Sequence, residues 1–321
     1  MTHHSTTDRI AFIAMLAGGV LIAFSPIFMR FATESSTITP TAAAFWRVGL
    51  ALPFLFLGLM INSRRQSQAA GRDIFYMCRT NFIFQPSFLW VGFFFAADLA
   101  FWHWSIAFTT VANATLLANM ASIFTAVIGF LFFKERFSRQ FIFGLILAII
   151  GAFALMGHSL TANPQNLLGD LLGLVTAAAY AGYIIATNKA RKNWSTMELM
   201  FGSGIITTII LGGLTLMENQ SPFPETLDGW WPLLGLSWLS HLLGQSMIMY
   251  GLAHLSATMG SVSLLIQPIC AALLAAMIFG ENLVIYHLIG GTLILTGILI
   301  CRRGHKKDQK QKEAAIKTAA S

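Results

Sequence analysis

Asp98, Arg47 and His241 each interrupt a stretch of sequence that is otherwise almost wholly apolar. Asp98 sits in Phe-Phe-Phe-Ala-Ala-Asp-Leu-Ala-Phe-Trp, residues 93–102. A carboxyl group there is expensive to hold in lipid, so it marks a transport pathway or a structural partner. On the first reading Asp98 binds a cation or carries a proton. On the second it is neutral or paired with Arg47. Trp90, Phe94, Trp102 and Ser105 share roughly its face by helical spacing. Arg47 lies some six residues into its own apolar run. It can serve the pathway, or reach back to the membrane surface along its aliphatic stem. His103, between Trp102 and Trp104, reads as an interface residue in the aromatic company that membrane surfaces favour.

His241 has Gln245 one helical turn on and Ser237 one turn back, so three polar groups share a face. Thr176, Tyr180, Tyr183 and Thr187 form a similar series. Asn119 adds a further amide, and Gln267 is followed by Pro268, which removes a backbone donor and predicts a bend. Taken singly, each of these residues can be explained by an interhelical hydrogen bond worth about 0.6 kcal/mol. Taken together, Asp98, Trp102, Asn119, Tyr180, His241, Gln245 and Gln267 describe a lined cavity, with Asp98 and Arg47 as an ion pair or coupling site. An intramembrane enzyme would need a nucleophile, a base or a metal constellation. No HExxH motif and no paired mid-span acids are found, and Cys78, Cys270 and Cys301 have no metal-ligand spacing. No catalytic residue, metal or cofactor is expected, nor a Walker A loop for ATP.

These residues need helices to hold them. The 321-residue chain is 56% hydrophobic and 10% charged, with a mean hydropathy of +0.68, where soluble domains carry roughly 25% charged residues. So little charge cannot cover a water-facing surface, and the solvent is a lipid bilayer. Stretches of about 20 apolar residues are needed to span one. Ten qualify: 10–30, 41–61, 87–107, 111–132, 139–156, 168–188, 197–217, 231–251, 258–279 and 285–301.

The net charge of +7 does not point to nucleic acid, because 18 of the 20 lysines and arginines fall in alternate loops and the two tails. With both termini in the cytoplasm, every one of those 18 is inside, and the loop between the seventh and eighth spans carries only Glu218, Glu225 and Asp228. Residues 1–9 and the basic segment 302–321 are then cytoplasmic tails, the latter expected to be disordered and to rest on anionic lipid.

Phe133-Lys134-Glu135 precedes Gly144 and Gly151; Phe279-Gly280-Glu281 precedes Gly290 and Gly297. The Phe, Glu and two Gly positions recur at a constant offset of 146, and Ala107 matches Ala253 at the same offset. Five helices per half is an odd number, so two halves, 10–156 and 168–301, must lie in opposite senses across the membrane. The second copy lacks the positive charges flanking Glu135, as its outward position requires. Inverted repeats of this kind build transporters around a central site. Glu135 and Glu281 read as helix-end residues, and the four glycines as close-packing positions.

With these motifs and Arg47 early in the second span, the chain resembles the EamA-domain branch of the drug/metabolite transporter superfamily over roughly residues 10–301. The resemblance implies export or exchange of amino acids, nucleosides or polyamine-like metabolites, driven by gradients. It also implies a cavity lined mainly by spans 1, 3, 4, 6, 8 and 9, with 5 and 10 peripheral. One candidate acid, one candidate cation and many aromatics suit a neutral or zwitterionic substrate, an amino acid above all. A cationic or nucleoside-like compound, such as a polyamine or an adenosylated sulfonium, is the alternative. The expected partners are this small molecule, the bilayer of the inner membrane, and protons as coupling ion; the expected unit is a monomer.

The charge bias makes a direct prediction. In a cysteine-free background, Ser67→Cys and Lys192→Cys are shielded from an impermeant thiol reagent in intact cells, while Asn219→Cys is labelled. The reverse pattern would invert the topology.

Overall fold

Proline decides where several helices of this chain begin and where others break, because its ring fixes φ and removes a backbone donor. The first apolar run forms α1 (Thr2–Ile22) and α2 (Ser25–Ser35), parted at Ala23-Phe24 just before Pro26. The second forms α3 (Pro40–Gly49) and α4 (Leu52–Ala70), parted at Leu50-Ala51 just before Pro53. Helix α5 (Pro86–Phe108) starts on its proline and is unbroken. The fourth run divides into α6 (Val111–Asn119) and α7 (Ala121–Phe133) without any proline. There Asn119 Nδ2 donates to Thr115 O at 2.8 Å and Ser122 Oγ to Asn119 O at 3.2 Å, side-chain bonds that compete with the helical ladder.

Three unbroken helices follow: α8 (Arg139–Met156), α9 (Leu167–Ala190) and α10 (Thr196–Met217), the last opened by a reciprocal Ser195–Glu198 capping box. The eighth run passes through α11 (Trp230–Gly235), a π-helical segment Leu236–Gln245, and α12 (Ser246–Leu252). The ninth forms α13 (Ala257–Ser263) and α14 (Ile266–Phe279), broken at Leu264-Leu265 before Pro268, where the sequence predicts a bend. Helix α15 (Ile285–Ala320) ends the chain.

This computed structural model describes residues 2–35, 38–70, 84–109, 111–156, 167–218, 221–280 and 285–320; Glu281 and Cys78 lie outside them. Every extended element among the described residues is helical. Six stretches are long and apolar enough to cross a membrane: Thr7–Ala32, Pro40–Ile61, Pro86–Ile106, Leu167–Ala190, Thr196–Met217 and Ala257–Phe279. Leu117–Phe133 and Arg139–Ala154 are shorter apolar helices.

The basic tail is not disordered as expected: α15 runs on through it to Ala320. Its charge says nothing against a helix, because Lys, Gln, Glu and Ala are strong helix formers.

Helices α8 and α15 pack along each other at the edge of the bundle. Ile142, Ile146, Ile150 and Phe153 of α8 remain exposed, so the helix is apolar on both faces and its outer one suits lipid. On the inner face, a Cβ built on Gly144 would stand 2.7 Å from Gly297 O, and one on Gly151 2.7 Å from Gly290 O. One built on Gly297 would stand 2.6 Å from Gly144 O. The expected close-packing role of these glycines is therefore visible as backbone touching backbone.

Contacts also sort the loops into two ends. At one, Thr39 Oγ1 donates to Glu218 Oε2 (2.6 Å) and Thr109 Oγ1 to Asp170 Oδ1 (2.7 Å). At the other, Thr258 Oγ1 donates to Glu135 Oε2 (2.9 Å) and the Arg302 guanidinium lies over Phe12, 3.9 Å from the ring centre. Helices α7 and α14 both end on a left-handed residue, Lys134 (φ 53°) and Gly280 (φ 67°), 146 positions apart.

The glycine contact gives a measurable consequence. Gly151→Ala forces a Cβ into the α15 backbone and should cost about 1–3 kcal/mol, lowering the thermal midpoint of the purified protein. Gly213→Ala meets nothing within 4 Å and should leave it unchanged or raised. Equal midpoints for the two variants would rule out the tight α8–α15 seam.

Candidate functional site

Three of the helix breaks meet at an internal cavity of about 130 Å³, while the α3–α4 break is not on its wall. The α1–α2 break contributes Ala23, Ser25 and Pro26, and the end of α6 contributes Asn119. The start of α14 contributes Gln267 and Pro268. Unbroken walls come from α5, through Phe95, Asp98, Leu99 and Trp102, and from α9, through Thr176 and Tyr180. Arg47 of α3 and Gln245, the last residue of the π-helical segment, complete the ring. Neither α8 nor α15 reaches the cavity, and neither does α10.

Six of the seven residues singled out from the sequence as pathway residues thus face one space: Asp98, Trp102, Asn119, Tyr180, Gln245 and Gln267. Arg47 joins them, at 7% exposure, so its side chain is turned into the bundle rather than back to the surface. Arg47 and Asp98 are near enough for each charge to act on the other, yet no ion pair joins them among the described contacts.

His241 stands apart. It is 3% exposed, off the cavity wall, and stacked on Phe95 with ring centres 5.5 Å apart. Neither of its ring nitrogens has a hydrogen-bond partner in the structure. Ser237, His241 and Gln245 all point inward as their spacing predicts, but the π-helical turn between them alters which one reaches the cavity. Phe95 in turn packs on Tyr183 at 4.8 Å, and Tyr183 stacks on Tyr180 at 5.9 Å. Gln245 Nε2 donates to the Tyr183 hydroxyl at 2.6 Å. The π-helical segment, α5 and α9 are therefore tied by one aromatic column that presents Tyr180 and Gln245 to the cavity.

His103 is a correction. It is buried rather than at the lipid interface, with Nδ1 against the Leu99 carbonyl and its ring edge-on to Trp102 at 5.1 Å. Aromatic neighbours signal an interface only when the face they share is outward, and this one turns in. Ser25, Phe95 and Thr115 of the wall were not singled out in advance. Ser25-Pro26 carries the same signal as Gln267-Pro268, a polar residue followed by proline inside an apolar run.

Towards the Glu135 end of the bundle, Met15, Leu252 and Met259 are fully buried, and Thr258 donates to Glu135. Asp98 and Trp102, on the other hand, lead along α5 towards Thr109 and its bond to Asp170.

A model of the EamA-like transporter family matches the chain twice, over residues 9–157 and 167–303. The chain belongs to the EamA-like transporter family. An uncharacterized transporter of Archaeoglobus fulgidus is 29% identical over 199 residues, 62% of this chain and 70% of the relative. The pseudopaline exporter CntI of Pseudomonas aeruginosa is 27% identical over 227 residues, 69% of this chain and 76% of the exporter. A probable amino-acid metabolite efflux pump of Salmonella typhimurium is 27% identical over 213 residues, covering 63% and 71%. A solved crystal structure shares the fold at a TM-score of 0.68 and 16% identity, over 92% of this chain and 98% of that one. This EamA protein is therefore a multi-pass membrane transporter and not an enzyme.

The aromatic column of this EamA transporter can be tested by unfolding. Tyr183→Phe and Gln245→Leu should each cost about 1–3 kcal/mol, because each leaves a buried polar partner unpaired. The double variant should cost less than the two together, since it leaves neither partner behind. Strict additivity would mean that the two side chains do not interact.

Proposed function

We propose that this transporter moves a small organic metabolite, an amino acid or related zwitterion, out of the cytoplasm by exchange or at the expense of the proton gradient. The observation that carries the reading is the cavity itself. It gathers an acid, a guanidinium and three amides where α1–α2, α6–α7 and α13–α14 are broken. Broken helices around a polar site are how inverted-repeat transporters hold substrate and coupling ions. Two of the relatives described above are named as exporters or efflux pumps, one for pseudopaline and one for amino-acid metabolites, which supports the direction and the substrate class.

The ten spans form two inverted halves on this reading. Three observations support it: the double match of one family model, the paired left-handed caps at Lys134 and Gly280, and the glycine seam. Gly144 meets Gly297 and Gly151 meets Gly290, while the repeat equates Gly144 with Gly290 and Gly151 with Gly297. Exchanging the halves turns each contact into the other, as a two-fold axis in the membrane plane requires.

With both termini in the cytoplasm, the end carrying Glu135 and Thr258 is the inner one, and the cavity, lined by Asp98 and Trp102 on the way to Thr109, faces outward. The lysines and arginines of the inner loops and tails support this orientation in an inner membrane. Asp98 is the proton carrier in the scheme, and Arg47 the counter-charge.

Proteoliposomes holding the purified protein test the whole scheme. A pH gradient should drive accumulation of a labelled amino acid. Asp98→Asn keeps shape and hydrogen bonding but cannot titrate, so it should abolish gradient-driven accumulation and leave part of the downhill exchange. Normal accumulation with Asp98→Asn would make Asp98 structural. Gradient-driven flux of polyamines or nucleosides, without amino acids, would replace the substrate class.

A further inference from the structure

Buried polar atoms in a folded protein nearly always find a partner, and those that do not deserve an explanation. Three unpartnered atoms lie in the cavity wall: Arg47 Nε, Ser25 Oγ and Gln267 Nε2. Each can donate a hydrogen bond. Arg47 and Ser25 are 7% and 5% exposed, so neither is served by bulk water. The Gln267 side chain neighbours the Tyr180 phenol, and its Nε2 meets no acceptor with hydrogen-bond geometry. The acidic residue on the wall among the described residues is Asp98, which makes no ion pair with Arg47 among the described contacts.

Donors without acceptors, one of them a guanidinium, describe the complement of an anion with several lone pairs. A carboxylate fits: it is small, planar and able to accept from Arg, Ser and amide at once. A phosphate would call for more than one cation, and among the described residues Arg47 is the only basic one on the wall. Resting on the amino-acid reading of this same cavity, we infer that Arg47 Nε, Ser25 Oγ and Gln267 Nε2 form a carboxylate subsite, while Asp98 receives the ammonium group of the same molecule. The substrate then lies between the two charges that the protein keeps apart, and must carry both of its own. Ser25 becomes a specificity-determining residue.

The split between the two ends is open to measurement. Thermal shift and titration on the purified full-length protein would use the twenty standard amino acids. The amides and decarboxylated amines of leucine, threonine and phenylalanine are the comparison set. At least one of these three amino acids should stabilise the protein, with its amide and its amine binding at least about tenfold more weakly. Ser25→Ala should weaken the amino acid by about tenfold and leave the amide unchanged, a selectivity that a packing defect would not produce. Arg47→Gln should weaken the amino acid further, and Arg47→Lys should restore part of the loss. Equal binding of amino acid and amide, or an equal loss of both in Ser25→Ala, would overturn the subsite while leaving the transport reading intact. If none of the twenty amino acids stabilises the protein, the subsite and the amino-acid reading fall together.

Discussion

Inside a bilayer there is no water to meet an unpaired backbone amide, so a helix can break only where protein or a water-lined cavity takes up the freed groups. The rest of this structure depends on that constraint. Pro26, Asn119 and Pro268 each disturb a helical ladder at depth, and the three disturbances meet around one space rather than being scattered over the lipid-facing surface. Among the helices with no such residue in their middle, α8 and α10 contribute no described residue to the cavity, whereas α5 and α9 form its continuous walls. Breaks and polar site overlap in part: Pro26, Asn119 and Pro268 both loosen the backbone and line the space, while Asp98 and Tyr180 reach it from unbroken helices.

Holding charge at this depth is costly, and the protein divides that cost between two kinds of packing. Asp98 and Arg47 share the cavity, where polar surface and each other's field offset part of the desolvation. His241 is treated differently: it is enclosed against Phe95 with no hydrogen-bond partner, as a flat ring among rings. A stacked imidazole inside an aromatic column contributes shape more than charge. Gln245, a short way along the same π-helical segment, anchors the column to Tyr183 and still reaches the cavity.

Much of this was legible in the sequence, because lipid allows few alternatives. The apolar runs pointed to an all-helical membrane chain, six of whose described stretches are long and apolar enough to span, and rare polar residues inside them fall at six positions of one cavity. The four glycines read as close-packing positions do pack closely, at the α8–α15 seam. What escaped did so for local reasons. A π-helical turn has no reliable composition signal, so the turn-by-turn spacing of Ser237, His241 and Gln245 could show an inward face but not which member reaches the cavity. His103 looked like an interface residue because Trp102 and Trp104 flank it in sequence, whereas burial is decided by the face it shares. The tail looked disordered because charge was weighed and helix propensity was not. Ser25 was legible and passed over; serine is common enough in apolar spans that only the following proline sets it apart.

The seams also differ in how easily they can part. Along α8 and α15 the backbones touch over two glycine pairs, a contact with no side chain able to swing aside, so these helices move as one body if they move at all. The Glu135 end of the bundle is held differently: Met15 and Met259 are buried there, and Thr258 donates a hydrogen bond to Glu135. A hydrogen bond to a carboxylate contributes about 1.5–3 kcal/mol, and methionine repacks at little cost. A substrate held by two charged contacts has comparable free energy to offer in favour of one state over the other. In the exchange proposed above, the stiff seam keeps the two halves in register while the weak end opens, and the difference between them follows from glycine at one place and methionine at the other.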